Sequence, residues 1–433
     1  MVNTLRKNIL RINRLIWQGW GMTAPAADIA YLLGGIALVA LGATPLSILI
    51  GFLIYLAILN TSYRFSKKYV SAGSDFTYVG KSIGGFMATF EGWNLFFGTM
   101  FAYAGFGMLG LAGFFDIFDS GIITKGYWIP IVIALNIITF YILYRGIRFS
   151  TTYQIITGIA EFAILIAGGI GLVILAGKNN TLDVFSPFIA SGGITGFLHS
   201  LTLSVVTFIG LSIALTAISE ETHIPKKTVP KSLLISSMII GITIVFLTYA
   251  MTVAWGPLRM LSFGDSVDNG LVLFREISPV MFIPLFIFTV NSFMGNNISM
   301  GTSMTRIFYA FSRDSIIFPK AFSRTDSNGT PINTTYLILG ISLFLSITFG
   351  IIFGPIDGGY VLLFADAFFS FPIRSISSGS LVISTFRDKK MKARALLGYL
   401  VIPVVLVMDS LNLYTSKEIY ITNNLYKYIG EVI

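Results

Sequence analysis

Apolar runs of about 20 residues, long enough to cross a bilayer as helices, recur along nearly the whole chain with short polar segments between them. Hydropathy windows of about 19 residues place them at roughly 16–40, 44–62, 84–115, 128–144, 153–175, 197–218, 232–255, 279–304, 335–353, 360–384 and 396–413. This pattern predicts an all-α polytopic membrane protein with about eleven transmembrane helices. It divides into an N-terminal segment (1–15), a ten-helix core (16–384), one additional helix (396–413) and a polar C-terminal tail (414–433) that cannot span. No room remains for a separate soluble domain.

Two spans break the pattern. In the first, Trp17-Gln18-Gly19-Trp20-Gly21-Met22-Thr23-Ala24-Pro25-Ala26-Ala27-Asp28 stands where a membrane helix should be most regular. Pro25 has no amide proton and its ring crowds the carbonyl four residues back. Hydrocarbon offers the freed backbone groups no partner, so neighbouring helices or a bound ligand must supply one. The sixth span, within Val205 to Lys231, softens at Gly210 and leaves the apolar region through a charged exit with two prolines, Glu220-Glu221-Thr222-His223-Ile224-Pro225-Lys226-Lys227-Thr228-Val229-Pro230. Each broken span opens a set of five, and an odd number of spans inverts the second set relative to the first. This predicts an inverted five-plus-five repeat, 16–175 and 197–384, with a site between the copies at mid-membrane. The parallel rests on topology and the two breaks, not on similarity between the halves.

Composition agrees. The chain is 55% hydrophobic and only 11% charged, where a soluble protein carries about 25% charged residues. Its formal net charge is +9, and distribution explains this better than a nucleic-acid partner does. With the N-terminus cytoplasmic, the inner segments hold 22 of the 29 lysines and arginines, the outer segments 6, and Arg374 lies within a span. That asymmetry follows the positive-inside rule and predicts a multi-pass protein of the cell membrane. With no cysteine, disulfides and thiolate sites are excluded, and His199 and His223 are too few and too far apart for a metal cluster. No cofactor is expected. Ala24-Pro25-Ala26 faintly mimics a leader cleavage site, but Gln18 and two glycines interrupt the apolar stretch, so the segment reads as a span.

Candidate chemistry is sparse. Gly105-Phe106-Gly107-Met108-Leu109-Gly110 spells a dinucleotide fingerprint, but without a preceding strand it reads as close helix packing. Glu91 is expected near the inner interface. Glu161 lies well inside the fifth span; holding a carboxylate charged in apolar surroundings is costly, which makes Glu161 a candidate for proton exchange or for a structural hydrogen bond. Asp28 follows the first break and is a candidate for sensing an amine or a cation. Asp366 and Arg374 share a helix face about 12 Å apart at 1.5 Å per residue, so each is expected to pair elsewhere. Asp409 reads as near the outer surface.

Several stretches resemble the amino acid–polyamine–organocation permeases. Phe208-Ile209-Gly210 followed by Glu-Glu-Thr-x-x-Pro-x-x-Thr-Val-Pro matches their sixth transmembrane segment. Ser71-Ala72-Gly73-Ser74-Asp75-Phe76-Thr77-Tyr78 is similar to their second loop and reads as structural or gating. Ser303-Met304-Thr305-Arg306 with Tyr309-Ala310, Arg313-Asp314, Phe318-Pro319 and Thr330-Pro331 is similar to the stretch after their eighth span; its arginines are expected in orientation and inner-loop salt links. The likeness runs from Leu15 to about Arg394. It implies the inverted-repeat fold of the bacterial leucine transporter, with a substrate carboxylate bound along the break Thr23 to Ala27, on amides freed at Thr23, Ala24, Ala26 and Ala27 around Pro25. The ammonium would meet carbonyls freed near Val206, Phe208 and Ile209, beside Gly210, with Phe208 as a gate. Two departures stand out. Many relatives have a glutamate where this chain has Ser212, and some have a lysine where it has Glu161. Relatives also usually have twelve or more spans.

The expected function is secondary active transport of amino acids by alternating access, with proton or cation coupling as a candidate feature. Polyamines or other organic cations, and a ligand sensor without flux, are alternatives. A channel lacks its ring of charged residues. No HExxH or GxSxG points to an enzyme, and no GxxxxGK[ST] loop to nucleotide-driven pumping.

Overall fold

The computed structural model describes residues 4–117, 121–190, 193–265, 269–387 and 396–416. The polar tail from 417 onward and the basic residues Lys389, Lys390, Lys392 and Arg394 lie outside the described residues, as does the side chain of Asp409.

The described residues are built from helices. The first expected span is α1 (Ile12–Thr23), α2 (Pro25–Ala27) and, after a π-turn over Asp28–Leu32, α3 (Leu33–Ala40). Next come α4 (Thr44–Lys68), the short α5 (Ser74–Ser82), α6 (Gly85–Ala102), a π-helical stretch (Tyr103–Gly110) and α7 (Leu111–Phe114). The first half closes with α8 (Gly121–Thr124), α9 (Trp128–Tyr144) and α10 (Ile147–Ala176). The second half is α11 (Ile194–Thr216), α12 (Pro225–Trp255), α13 (Met260–Asp265), α14 (Asn269–Ile277), α15 (Phe282–Arg313), α16 (Ile332–Phe353) and α17 (Pro355–Arg387). The additional helix is α18 (Leu396–Ser416).

Eight stretches of described residues are long and apolar enough to cross a membrane. The other three expected spans are the broken first one and two shorter apolar helices, at Trp128–Tyr144 and Gly398–Val407. The chain is therefore an all-α polytopic membrane protein. Its ten core spans fall into two sets of five, opened by α1–α3 and by α11.

Helix α1 stands at the centre, packed against α10, α11, α12 and α15. Its break is real: Ala24 takes the left-handed conformation (φ 47°, ψ 62°) and Pro25 starts the next helix at once. A left-handed alanine is strained by roughly 1–3 kcal/mol and persists only where its surroundings over-determine it. Pro25 suits a helix start, where its missing amide proton is no loss.

The sixth span differs from expectation. Helix α11 runs unbroken through Gly210. This glycine serves packing instead: a Cβ there would lie 2.6 Å from the Met22 side chain. The glycine lets α1 and α11 approach closely, and no backbone carbonyl is freed by unwinding. After α11 the chain turns through Ile224, left-handed at φ 46°, into Pro225.

The inner-loop arginines pair as the motif suggests. Arg306 meets Glu221 at 2.9 Å, both buried, and Arg313 meets Glu220 at 2.9 Å nearer the surface. The chain before α1 is tied to the same loop: the Ile9 and Leu10 amides donate to the Glu221 carbonyl at 2.8 and 3.1 Å. Glu91, expected at the interface, is fully buried beneath α17, where it accepts from Ser377 Oγ at 3.0 Å. Helices α5 and α17 both pack against α6 and cover that end.

Candidate functional site

In an unbroken helix the Ala26 amide would donate to the Met22 carbonyl. Here the left-handed Ala24 parts them, and two other helices take them up. Ala26 N–H donates to Glu161 Oε1 of α10 at 3.1 Å, and the Met22 carbonyl accepts from Asn296 Nδ2 of α15 at 2.6 Å. Glu161 also accepts from Ser292 Oγ at 2.8 Å and from Asn291 Nδ2 at 3.4 Å. Its carboxylate thus caps the start of α2, where the helix dipole favours negative charge. Below it, Gln154 donates to the Gly295 carbonyl at 2.7 Å and to Ser299 Oγ at 2.9 Å, and Ser299 donates to the Gln18 carbonyl at 2.9 Å. This polar seam holds α1, α10 and α15 together.

A second internal ion sits on α11. Arg374 of α17 donates through Nη2 to the Ile209 carbonyl at 3.0 Å, and through Nη1 to Asp75 Oδ2 at 3.0 Å and Ser212 Oγ at 3.2 Å. The amide expected to hold a substrate carboxylate therefore carries an internal carboxylate. The carbonyl expected to hold an ammonium carries an internal guanidinium. As the sequence implies, Asp366 and Arg374 do not pair: Asp366 accepts from Ser370 Oγ at 2.6 Å, one turn along α17.

A cavity of about 70 Å³ lies at the break of the first span. Of the residues singled out from sequence, Thr23, Asp28, Val206, Ile209 and Gly210 line it. Ala24, Pro25, Ala26 and Ala27 are buried but do not line it, and Glu161 caps the break from behind. Phe208, expected as a gate, does not line the cavity: it is buried, its ring centroid 5.3 Å from Phe52 and 5.9 Å from Tyr55. The structure adds Asp366 and Ser370 from α17, Asn296 from α15, and Thr99 and Phe106 from the third span. Asp366 was legible as an intramembrane charge, though nothing in the sequence places it in one lining with Asp28. The lining thus presents two carboxylates, Asp28 and Asp366, with hydroxyls and one amide and, among the described residues, no lysine, arginine or histidine.

The family model for amino acid permeases matches residues 14–371. This chain belongs to the amino acid permease family. It is 23% identical over 275 residues to the low-affinity putrescine importer PlaP of Escherichia coli K12, covering 62% of this chain and 59% of that protein. It is 25% identical over 303 residues to the branched-chain amino acid permease BcaP of Bacillus subtilis 168, covering 65% of this chain and 62% of that protein. The chain thus spans about three-fifths of the length of each of these relatives. For a member of this family, the arrangement places a small, largely apolar cavity bearing two carboxylates at the break of the first span, walled by five of the ten core spans.

Proposed function

We propose that the protein is a secondary active transporter that moves a small amine-bearing solute across the cell membrane by alternating access, with its N-terminus cytoplasmic. Membership in the amino acid permease family supports the transport reading, and the distribution of lysine and arginine supports the orientation. The observation that carries the solute class is the presence of both Asp28 and Asp366 in a cavity whose lining, among the described residues, holds no basic side chain. Two carboxylates suit a cationic group, and a diamine satisfies both better than a zwitterion does. PlaP, whose name is that of a putrescine importer, is one of the relatives.

Zwitterionic amino acids are the second reading, favoured by the likeness to BcaP. A substrate carboxylate would then have to displace Glu161 from the Ala26 amide. Uptake into proteoliposomes separates the two. Labelled putrescine is expected to accumulate and unlabelled leucine to compete poorly. Asp366→Asn is expected to reduce amine uptake about 10–100-fold, since a charge-assisted contact is worth roughly 1.5–3 kcal/mol, with little change in melting temperature. Leucine uptake that diamines fail to inhibit would sink the amine reading. Specific binding of either solute without any flux would instead identify a sensor.

A further inference from the structure

A second cavity of about 70 Å³ lies away from the break, between α4 and the additional helix α18. Ile54, Ala57 and Ile58 line it from α4, and Val401, Val404 and Val405 face them from α18. Every lining side chain among the described residues is aliphatic. Leu400, also in the lining, is 60% exposed, so the cavity is a groove that opens on the apolar surface facing the lipid. A helix with its side chains is about 10–12 Å across, far wider than a groove of this volume. A single acyl chain fits it.

Hydrocarbon alone would make this groove no different from the rest of the lipid-facing surface. The inner end of α4 makes the difference. Ala57, Arg64 and Lys68 stand at i, i+7 and i+11, on one face of the helix. Lys68 lies eleven residues beyond Ala57, about 16 Å at 1.5 Å per residue, and half the hydrocarbon core is about 15 Å thick. The groove therefore sits near mid-membrane and Lys68 at headgroup level. Both terminal lysines are exposed, and neither meets a carboxylate among the described residues. Tyrosines hold them in place: Lys67 Nζ donates to the Tyr63 hydroxyl at 2.6 Å, and Lys68 Nζ lies 5.3 Å from the centroid of the Tyr69 ring.

We propose that this groove holds one acyl chain of a phospholipid with a net anionic headgroup, whose phosphate meets Lys67 and Lys68. Basic clusters at the inner ends of membrane helices attract such headgroups. A zwitterionic headgroup brings its own ammonium beside the phosphate and gains less from two lysines. The groove also reaches the transport core. Ile58, Val401 and Val405 pack in one cluster with Val205 and Ile209 of α11, and Ile209 lines the main cavity. A chain in the groove thus braces the back of the wall that faces the solute, and the two occupancies are linked reciprocally. That consequence for transport rests on the proposed function; lipid binding itself does not.

The test compares phosphatidylglycerol with phosphatidylcholine of the same acyl chains, added to the full chain in detergent. Lipid retained per chain is read by native mass spectrometry and stability by melting temperature. One tightly retained phosphatidylglycerol is expected, with a higher melting temperature than in phosphatidylcholine. Changing Lys67→Gln and Lys68→Gln together should weaken its retention at least about tenfold. Ala57→Phe, which fills the groove and leaves both lysines in place, should weaken it similarly. Both variants should melt like the wild type in phosphatidylcholine. Equal retention of the two lipids by the wild type would overturn the proposal. So would retention of phosphatidylglycerol that survives undiminished in either variant, since headgroup and groove must act together. A dimer that forms without lipid preference and is lost in Ala57→Phe would give the groove to a second copy instead. Failure of amine uptake in proteoliposomes would leave the lipid result untouched.

Discussion

Arg374→Met is expected to destabilise the protein by about 3–5 kcal/mol, because it strands a buried carboxylate. Arg374 and Asp75 are 2% and 1% exposed and 3.0 Å apart. The same guanidinium holds the Ile209 carbonyl and the Ser212 hydroxyl, so its loss also slackens the stretch of α11 that lines the cavity. The damage concerns the uncompensated charge more than the pair itself. Asp75→Leu added to Arg374→Met should therefore recover much of the loss, as replacing a buried ion pair by apolar side chains often does. Arg313→Met supplies the contrast. Its partner Glu220 is 20% exposed and Arg313 itself 35%, so that change should cost only about 0–1 kcal/mol. Melting temperatures of the single and double variants in one detergent decide it. Equal losses for Arg313→Met and Arg374→Met would show that burial of the Arg374 pair carries no special weight.

The span pattern and the first break were legible because both are written locally. Twenty apolar residues have one stable form in a bilayer, and Pro25 cannot continue a helix whoever its neighbours are. The sixth span was harder. A glycine that unwinds a helix and a glycine that admits a neighbouring side chain are the same letter, and only the position of Met22 against Gly210 separates them. The site was half legible for a related reason. Asp28, Glu161, Asp366 and Arg374 all announce themselves as polar residues in apolar runs. Their partners do not: Arg374 pairs with a residue 299 positions away, and Glu161 with groups 130 to 135 positions away. No periodicity encodes such meetings. Glu91 shows the converse. Its place near a helix start suggested an interface, but α5 and α17 cover it.

Glu161 can be assigned by comparing two substitutions. As a cap it offers Oε1 to the Ala26 amide and to Ser292 Oγ, and Oε2 to Asn291 Nδ2. Three donors converge on it, and an ionised carboxylate is an acceptor at every one of them. Glu161→Gln keeps one oxygen for the amide at nearly the same volume, so the break should hold at a cost of about 1 kcal/mol, the scale of a lost charge at a helix start. Glu161→Ala removes every acceptor at once and leaves the Ala26 amide buried without a partner. Its cost should be about 1.5–3 kcal/mol, and it falls where α1 meets α10 and α15. Uptake is therefore expected to survive in Glu161→Gln and to drop at least about tenfold in Glu161→Ala, with the response to an imposed proton gradient unchanged in the former. A proton carrier gives the opposite order, because glutamine fills the site but cannot release a proton. Loss of gradient-stimulated uptake in Glu161→Gln, with the fold intact, would move Glu161 from a structural cap to the coupling step itself.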